Sequence, residues 1–163
     1  AIATLVLVGQ AVGGRDGAGA RRAAKVGIVL ATGLSTLVSI VMWLARDPVM
    51  AAYTADPAVR ELASSLVIYI CLYQFFDAIQ TVAAHALRGY KITVGPMLIH
   101  TLCFWGIGLG GGYGLAFSGL GALLPPQGVA GFWQAAVLSN MAAAALFGGY
   151  LHLASKNHVA RPA

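Results

Sequence analysis

Residues 64–90 read SSLVIYICLYQFFDAIQTVAAHALRGY, and between Glu61 and Arg88 the only charged side chain is Asp77. The run is apolar and exceeds the ~20 residues a helix needs to cross a bilayer. A carboxylate near mid-membrane costs roughly 2.5–3.5 kcal/mol on insertion scales, and such residues usually mark ion or substrate pathways. The stretch therefore points to a transmembrane helix, with Asp77 as the first functional candidate.

The whole chain supports a membrane setting. Of its 163 residues, 59% are hydrophobic and only 9% charged, against about 25% charged in a soluble domain; its mean hydropathy is +0.80. The net charge of +5 is spread between apolar runs, so the Lys and Arg residues read as topology signals and a nucleic-acid partner is excluded. Cys71 and Cys103 fall in different apolar segments without a CxxC or a His pair at ligand spacing, which suits small buried hydrophobes. The opening AIATLVLVGQ has no charged leader region and is too short to span, so it is read as the end of a helix and the chain as part of a longer protein.

Four segments are long and apolar enough to cross a membrane, about 26–45, 62–86, 96–117 and 131–153, and residues 1–9 add the end of a fifth. Breakers fall between them: Asp47-Pro48 and Asp56-Pro57 in one loop, Gly95-Pro96 opening the third span, and Pro125-Pro126 in another loop. Cytoplasmic loops collect Lys and Arg. That rule assigns the segments 10–25 (Arg15, Arg21, Arg22, Lys25) and 87–95 (Arg88, Lys91) and the tail 154–163 (Lys156, Arg161) to the cytoplasm. Segment 46–61, where Arg46 and Arg60 face Asp47, Asp56 and Glu61, and the uncharged segment 118–130 fall on the other side. Trp43, Tyr53, Tyr90 and Tyr150 stand near the expected interfaces.

Positions three and four apart share a helix face. Tyr69, Tyr73, Asp77 and Gln80 thus form one stripe, broadened by Gln74 and Thr81, while Leu72, Ile79, Val82 and Ala86 lie opposite. Lipid gives polar groups no hydrogen-bond partner, so this stripe should face a cavity or a packed interior. Asp77 is then a protonated structural residue, half of a buried ion pair, or a carboxylate that binds and releases a cation. Tyr73 can donate its hydroxyl to it or lend an oxygen to the cation. Burial favours a neutral acid and a nearby cation favours the carboxylate.

Other motifs carry less. Gly106, Gly108 and Gly111 fit GxGxxG, but no strand precedes them, so a dinucleotide site fails its structural context. The overlapping pairs Gly106/Gly110, Gly108/Gly112 and Gly110/Gly114 indicate close helix packing or a bend. His85, His100 and His152 are too far apart to form an i, i+4 metal pair and read as structural or interfacial residues. Thr32, Ser35, Thr36 and Ser39, like Gln134 and Asn140, suit helix packing more than substrate contact. No nucleophile elbow, P-loop, zinc motif or paired carboxylate occurs, so no enzyme and no cofactor is expected.

Phe76-Asp77-Ala78-Ile79-Gln80, continuing through Ala86-Leu87-Arg88-Gly89-Tyr90-Lys91 to Pro96-Met97, resembles the multidrug and toxic compound extrusion (MATE) family, in particular its NorM-like branch. Val8-Gly9-Gln10-Ala11-Val12-Gly13, with Arg15-Asp16 and Arg21-Arg22, is similar to the cytoplasmic loop after the eighth helix of that family. The resemblance implies an all-α membrane protein of the bacterial inner membrane, a twelve-helix exporter with two six-helix lobes. It moves cationic or amphipathic drugs outward in exchange for Na⁺ or H⁺. The present spans would be the end of helix eight and helices nine to twelve, part of the C-terminal lobe. The family's acidic cation-site residue on the tenth helix, and the Tyr one turn earlier, fall on Asp77 and Tyr73, with Gln74, Gln80, Thr81 and Tyr69 as possible cavity lining. Its acidic partner on the seventh helix would lie upstream of Ala1, as would the N-terminal lobe, so this chain alone is not expected to transport.

Two other classes remain open. Asp77 could make an interhelical contact in a structural or assembly subunit. A lipid-precursor flippase of a related superfamily would be expected to line its cavity with basic residues, and none of the four spans contains Lys or Arg.

Overall fold

The computed structural model describes residues 1–119 and 125–160, and within them every regular element is helical. Residues 120–124 of the uncharged segment 118–130 and Arg161 of the basic tail lie outside the described residues. The helices are α1 (Ile2–Gly13), α2 (Gly17–Leu44), α3 (Arg46–Tyr53), α4 (Pro57–Gly89), α5 (Val94–Thr101) and α6 (Val129–Ala160). α5 passes through π-helical turns, Leu102–Gly111 and Gly114–Ser118. Four stretches, Gly17–Leu44, Pro57–Gly89, Val94–Ser118 and Val129–Lys156, are long and apolar enough to cross a membrane.

Helix ends are set by local chemistry. α1 ends in a Schellman motif, with Asp16 N–H donating to the Ala11 carbonyl (2.8 Å) and Arg15 N–H to Val12 (3.1 Å). Asp16 then caps α2 by accepting from the Gly19 amide at 2.8 Å. Most of the basic segment 10–25 is consequently helical: hydropathy marks where α2 turns apolar, whereas its backbone starts at the cap. Asp56 caps α4 in the same way through the amides of Ala58 (2.9 Å) and Val59 (3.4 Å), with Pro57 at the first helical position. At its other end Lys91 and Ile92 donate to the carbonyls of Arg88 (2.9 Å) and Leu87 (3.0 Å). Lys91 takes the left-handed conformation there, at φ 62°.

α4 is the central helix, packing against α1, α2, α3 and α6. Its last turns meet α1, α2 and α6 in a core of small residues, Ala20, Ala24, Ala83, Ala84 and Ala143 among them, closed by Val8, Leu87, Tyr90 and Phe147. A Cβ on Gly89 would lie 2.8 Å from the Val8 side chain, so α1 crosses α4 where glycine leaves room. Burial in this corner pushes the Tyr90 phenol up, and the Arg21 guanidinium beside it pulls the other way.

Hydroxyls tie the α2–α4 pair together. Ser35 donates to the Gln74 carbonyl (2.8 Å), and Ser39 to that of Cys71 (3.3 Å). Of the small-residue pairs in the glycine run, Gly108/Gly112 lies against α6. A Cβ at Gly112 would sit 2.7 Å from a ring carbon of Phe132, and one at Gly108 3.3 Å from Ser139 Oγ. A Cβ on Gly106 or Gly114 would meet nothing within 4 Å among the described residues.

Candidate functional site

Helical spacing places Tyr69, Tyr73, Asp77, Gln80 and Thr81 along one side of α4. The structure brings four of these five residues into hydrogen-bonded contacts, and among the described residues the Tyr73 hydroxyl has none. Nearest the start of the helix, the Tyr69 hydroxyl accepts from Gln134 Nε2 on α6 at 3.2 Å. One turn later the Tyr73 ring meets Trp133 edge-on, with centroids 6.3 Å apart and planes at 88°. Both rings line a cavity of about 340 Å³ that also takes in Phe104, Leu109, Phe132 and Ser139. The Gln74 side chain is exposed instead, and the backbone of that residue supplies the acceptor for Ser35.

Asp77 is half-buried, and its Oδ1 accepts from Gln80 Nε2 at 2.9 Å. No hydrogen bond from the described residues reaches its Oδ2. Gln80 is only 3% exposed. It also donates to Thr81 Oγ1 (3.1 Å), and its Oε1 faces His100 Nε2 at 2.9 Å. The His100 ring, on α5, packs against both Phe147 and Phe104, with centroid separations of 4.9 and 5.4 Å. His85, by contrast, is satisfied locally through the Thr81 carbonyl at 2.8 Å.

Two residues enter the site that the stripe on α4 alone does not reveal: His100 and Trp133. Asn140, also on α6, is fully buried, and among the described residues neither its Oδ1 nor its Nδ2 has a hydrogen-bond partner. Unpaired amides of this kind cost roughly 1–3 kcal/mol each and call for an explanation. Among the described residues no group of three or more His, Cys, Asp or Glu could hold a metal ion. A cation at Asp77 would therefore draw its remaining ligands from uncharged oxygens or from other parts of the protein.

The model of the MatE family matches residues 1–114. A probable multidrug resistance protein NorM from Aromatoleum aromaticum is 55% identical over 152 residues, covering 93% of this chain and 33% of that protein. The multidrug resistance protein PmpM of Pseudomonas aeruginosa is 39% identical over 143 residues, 88% of this chain and 30% of its own length. MdtK of Pectobacterium atrosepticum, also called a multidrug resistance protein, is 35% identical over 145 residues, with coverages of 89% and 31%. The chain spans about a third of the length of these curated relatives. With four membrane-length helices, a polar stripe on the second of them and these matches, the chain belongs to the MATE family, in its NorM-like branch.

Proposed function

We propose that this chain forms part of the C-terminal lobe of a secondary multidrug exporter, and that Asp77 takes up the coupling cation, Na⁺ or H⁺. The observation that carries this reading is the state of its carboxylate. Gln80 holds Oδ1 at 2.9 Å and no hydrogen bond from the described residues occupies Oδ2, so one oxygen is oriented and the other is open to an ion. Tyr73 stands one helical turn away with a hydroxyl that can supply a second oxygen. The aromatic cavity beside it, with Trp133, Phe104 and Phe132, suits a flat cationic or amphipathic drug, because aromatic faces attract cations within about 6 Å.

In this scheme the remaining helices of the exporter complete the cavity, and the two lobes rock around a site near the bilayer midplane. Cation uptake at Asp77 shifts that equilibrium only through its differential affinity for the two states. In this reading the protein lies in the bacterial inner membrane with the basic segments and the C-terminus in the cytoplasm, an orientation that the positive-inside bias supports. A structural reading has one observation in its favour, since Asp77 is already tied through Gln80 to α5.

Inverted membrane vesicles carrying the full-length protein separate the two readings. Ethidium uptake driven by a Na⁺ or proton gradient should be lost in Asp77→Asn while the amount of protein in the membrane stays normal. Wild-type uptake by that variant removes Asp77 from the mechanism and leaves the structural contact.

A further inference from the structure

The carboxamide of Gln80 has all its hydrogen-bonding groups in use, in a place water barely reaches. Its nitrogen carries two hydrogens, and these go to Asp77 Oδ1 at 2.9 Å and Thr81 Oγ1 at 3.1 Å. Its oxygen faces His100 Nε2 at 2.9 Å. Turning the amide over would aim Oε1 at the carboxylate, oxygen against oxygen, so Asp77 fixes the amide orientation. That orientation in turn requires a proton on His100 Nε2, in the neutral tautomer or the imidazolium. Contacts with Phe147 and Phe104, at 4.9 and 5.4 Å between centroids, restrain the His100 ring. A continuous hydrogen-bonded line therefore runs from Asp77 on α4 to a clamped ring on α5, two residues before the π-helical turns begin at Leu102.

We propose that Gln80 and His100 are positioning residues for the cation site: together they hold Asp77 with Oδ1 engaged and Oδ2 presented, and they link its occupancy to α5. The proposal rests on Asp77 taking the coupling cation. A residue that orients a ligand from behind changes how tightly the ion is held more than how much protein is made. Helix α5 is the natural recipient of the signal, because it leads into π turns, which are uncommon and frequently sit at functional sites.

Three variants of the full-length protein, read beside Asp77→Asn, test the assignment, with ethidium uptake into inverted vesicles measured against coupling-cation concentration. Gln80→Leu and His100→Phe each remove the link while keeping bulk, and each should shift the cation concentration for half-maximal uptake about tenfold, the scale of one lost hydrogen bond to a charged group. The shift is upward for Na⁺, whose ligand is no longer oriented, and downward for H⁺, because the amide donor to Oδ1 favours the ionised carboxylate. His100→Gln puts an amide nitrogen near the position of Nε2 and should return that concentration to within about threefold of wild type. If His100→Gln is as impaired as His100→Phe, the donor is not what matters and the proposal fails. Loss of coupling in Asp77→Asn with unchanged half-saturation in Gln80→Leu and His100→Phe would overturn this link alone. Coupling retained in Asp77→Asn overturns the cation site itself. Nitrogen-15 spectra of the wild-type protein give an answer that does not depend on any variant folding: His100 should carry its proton on Nε2, and a bare Nε2 refutes the assignment.

Discussion

Tyr73→Phe separates what the ring does from what the hydroxyl does. In the structure the ring packs edge-on against Trp133, at 6.3 Å between centroids, and forms part of the wall of the 340 Å³ cavity. The hydroxyl makes no hydrogen bond with the described residues. Deleting that oxygen therefore leaves packing intact, and the thermal stability of the purified protein should change by less than about 0.5 kcal/mol. If the oxygen is a cation ligand, its loss should weaken cation binding by about 1–2 kcal/mol, a factor of roughly 5–30 in the concentration for half-maximal ethidium uptake. Removing the charge at Asp77 has a larger effect. A unit charge 4 Å from a cation is worth about 4 kcal/mol at an effective dielectric of 20, close to a thousandfold. Tyr73→Leu should additionally lose the aromatic pair, about 0.5–1.5 kcal/mol, and should weaken drug as well as cation binding. Cation-dependent uptake in inverted vesicles is the assay. A Tyr73→Phe curve superimposable on wild type would show that the hydroxyl is no ligand, and a loss greater than that of Asp77→Asn would reverse the ranking of the two residues.

Four further substitutions test packing and backbone geometry in the bundle by thermal unfolding in detergent. Gly112→Leu should destabilise by about 1–3 kcal/mol because its Cβ would meet the Phe132 ring at 2.7 Å, and adding Phe132→Leu should recover part of the loss through coupling between the two sites. Asn140→Leu should stabilise by about 1–3 kcal/mol, since an amide with neither polar atom paired gives way to an apolar side chain; a lower unfolding midpoint would mean that Asn140 has a partner. Lys91→Gly should stabilise by about 0.5–1 kcal/mol by relieving the left-handed backbone at φ 62°, and no gain would show that the turn holds that conformation without strain.

The membrane helices and the α4 stripe were legible because both signals are local. Apolar runs of bilayer length need no tertiary information, and Asp77 and Gln80 are three residues apart on one helix. Helix starts were read less well at α2: hydropathy placed the span from 26, whereas the cap at Asp16 starts the helix at Gly17. A helix can begin well inside a polar, basic segment when its first amides find a side-chain acceptor. The π-helical geometry of Leu102–Gly111 has no sequence period of its own, so the glycine run announced close packing and not the change of turn. The contacts between helices divide by topology. Gln80 and His100 lie ten residues on either side of Tyr90, as befits two antiparallel helices joined by a tight turn, where residues equidistant from the turn share a depth. Ser35 with Gln74 and Ser39 with Cys71 obey the same symmetry about Thr54 and Ala55. A search for polar residues paired across each turn would have connected His100 to the Asp77 stripe, which a search for i, i+4 metal pairs could not. Tyr69 with Gln134 and Tyr73 with Trp133 follow no such rule. α4 and α6 run parallel, and their relative register is fixed by how the intervening helix packs, notably by the depth at which Gly112 admits Phe132. The aromatic half of the site therefore depends on a helix crossing, and the ionic half on a turn.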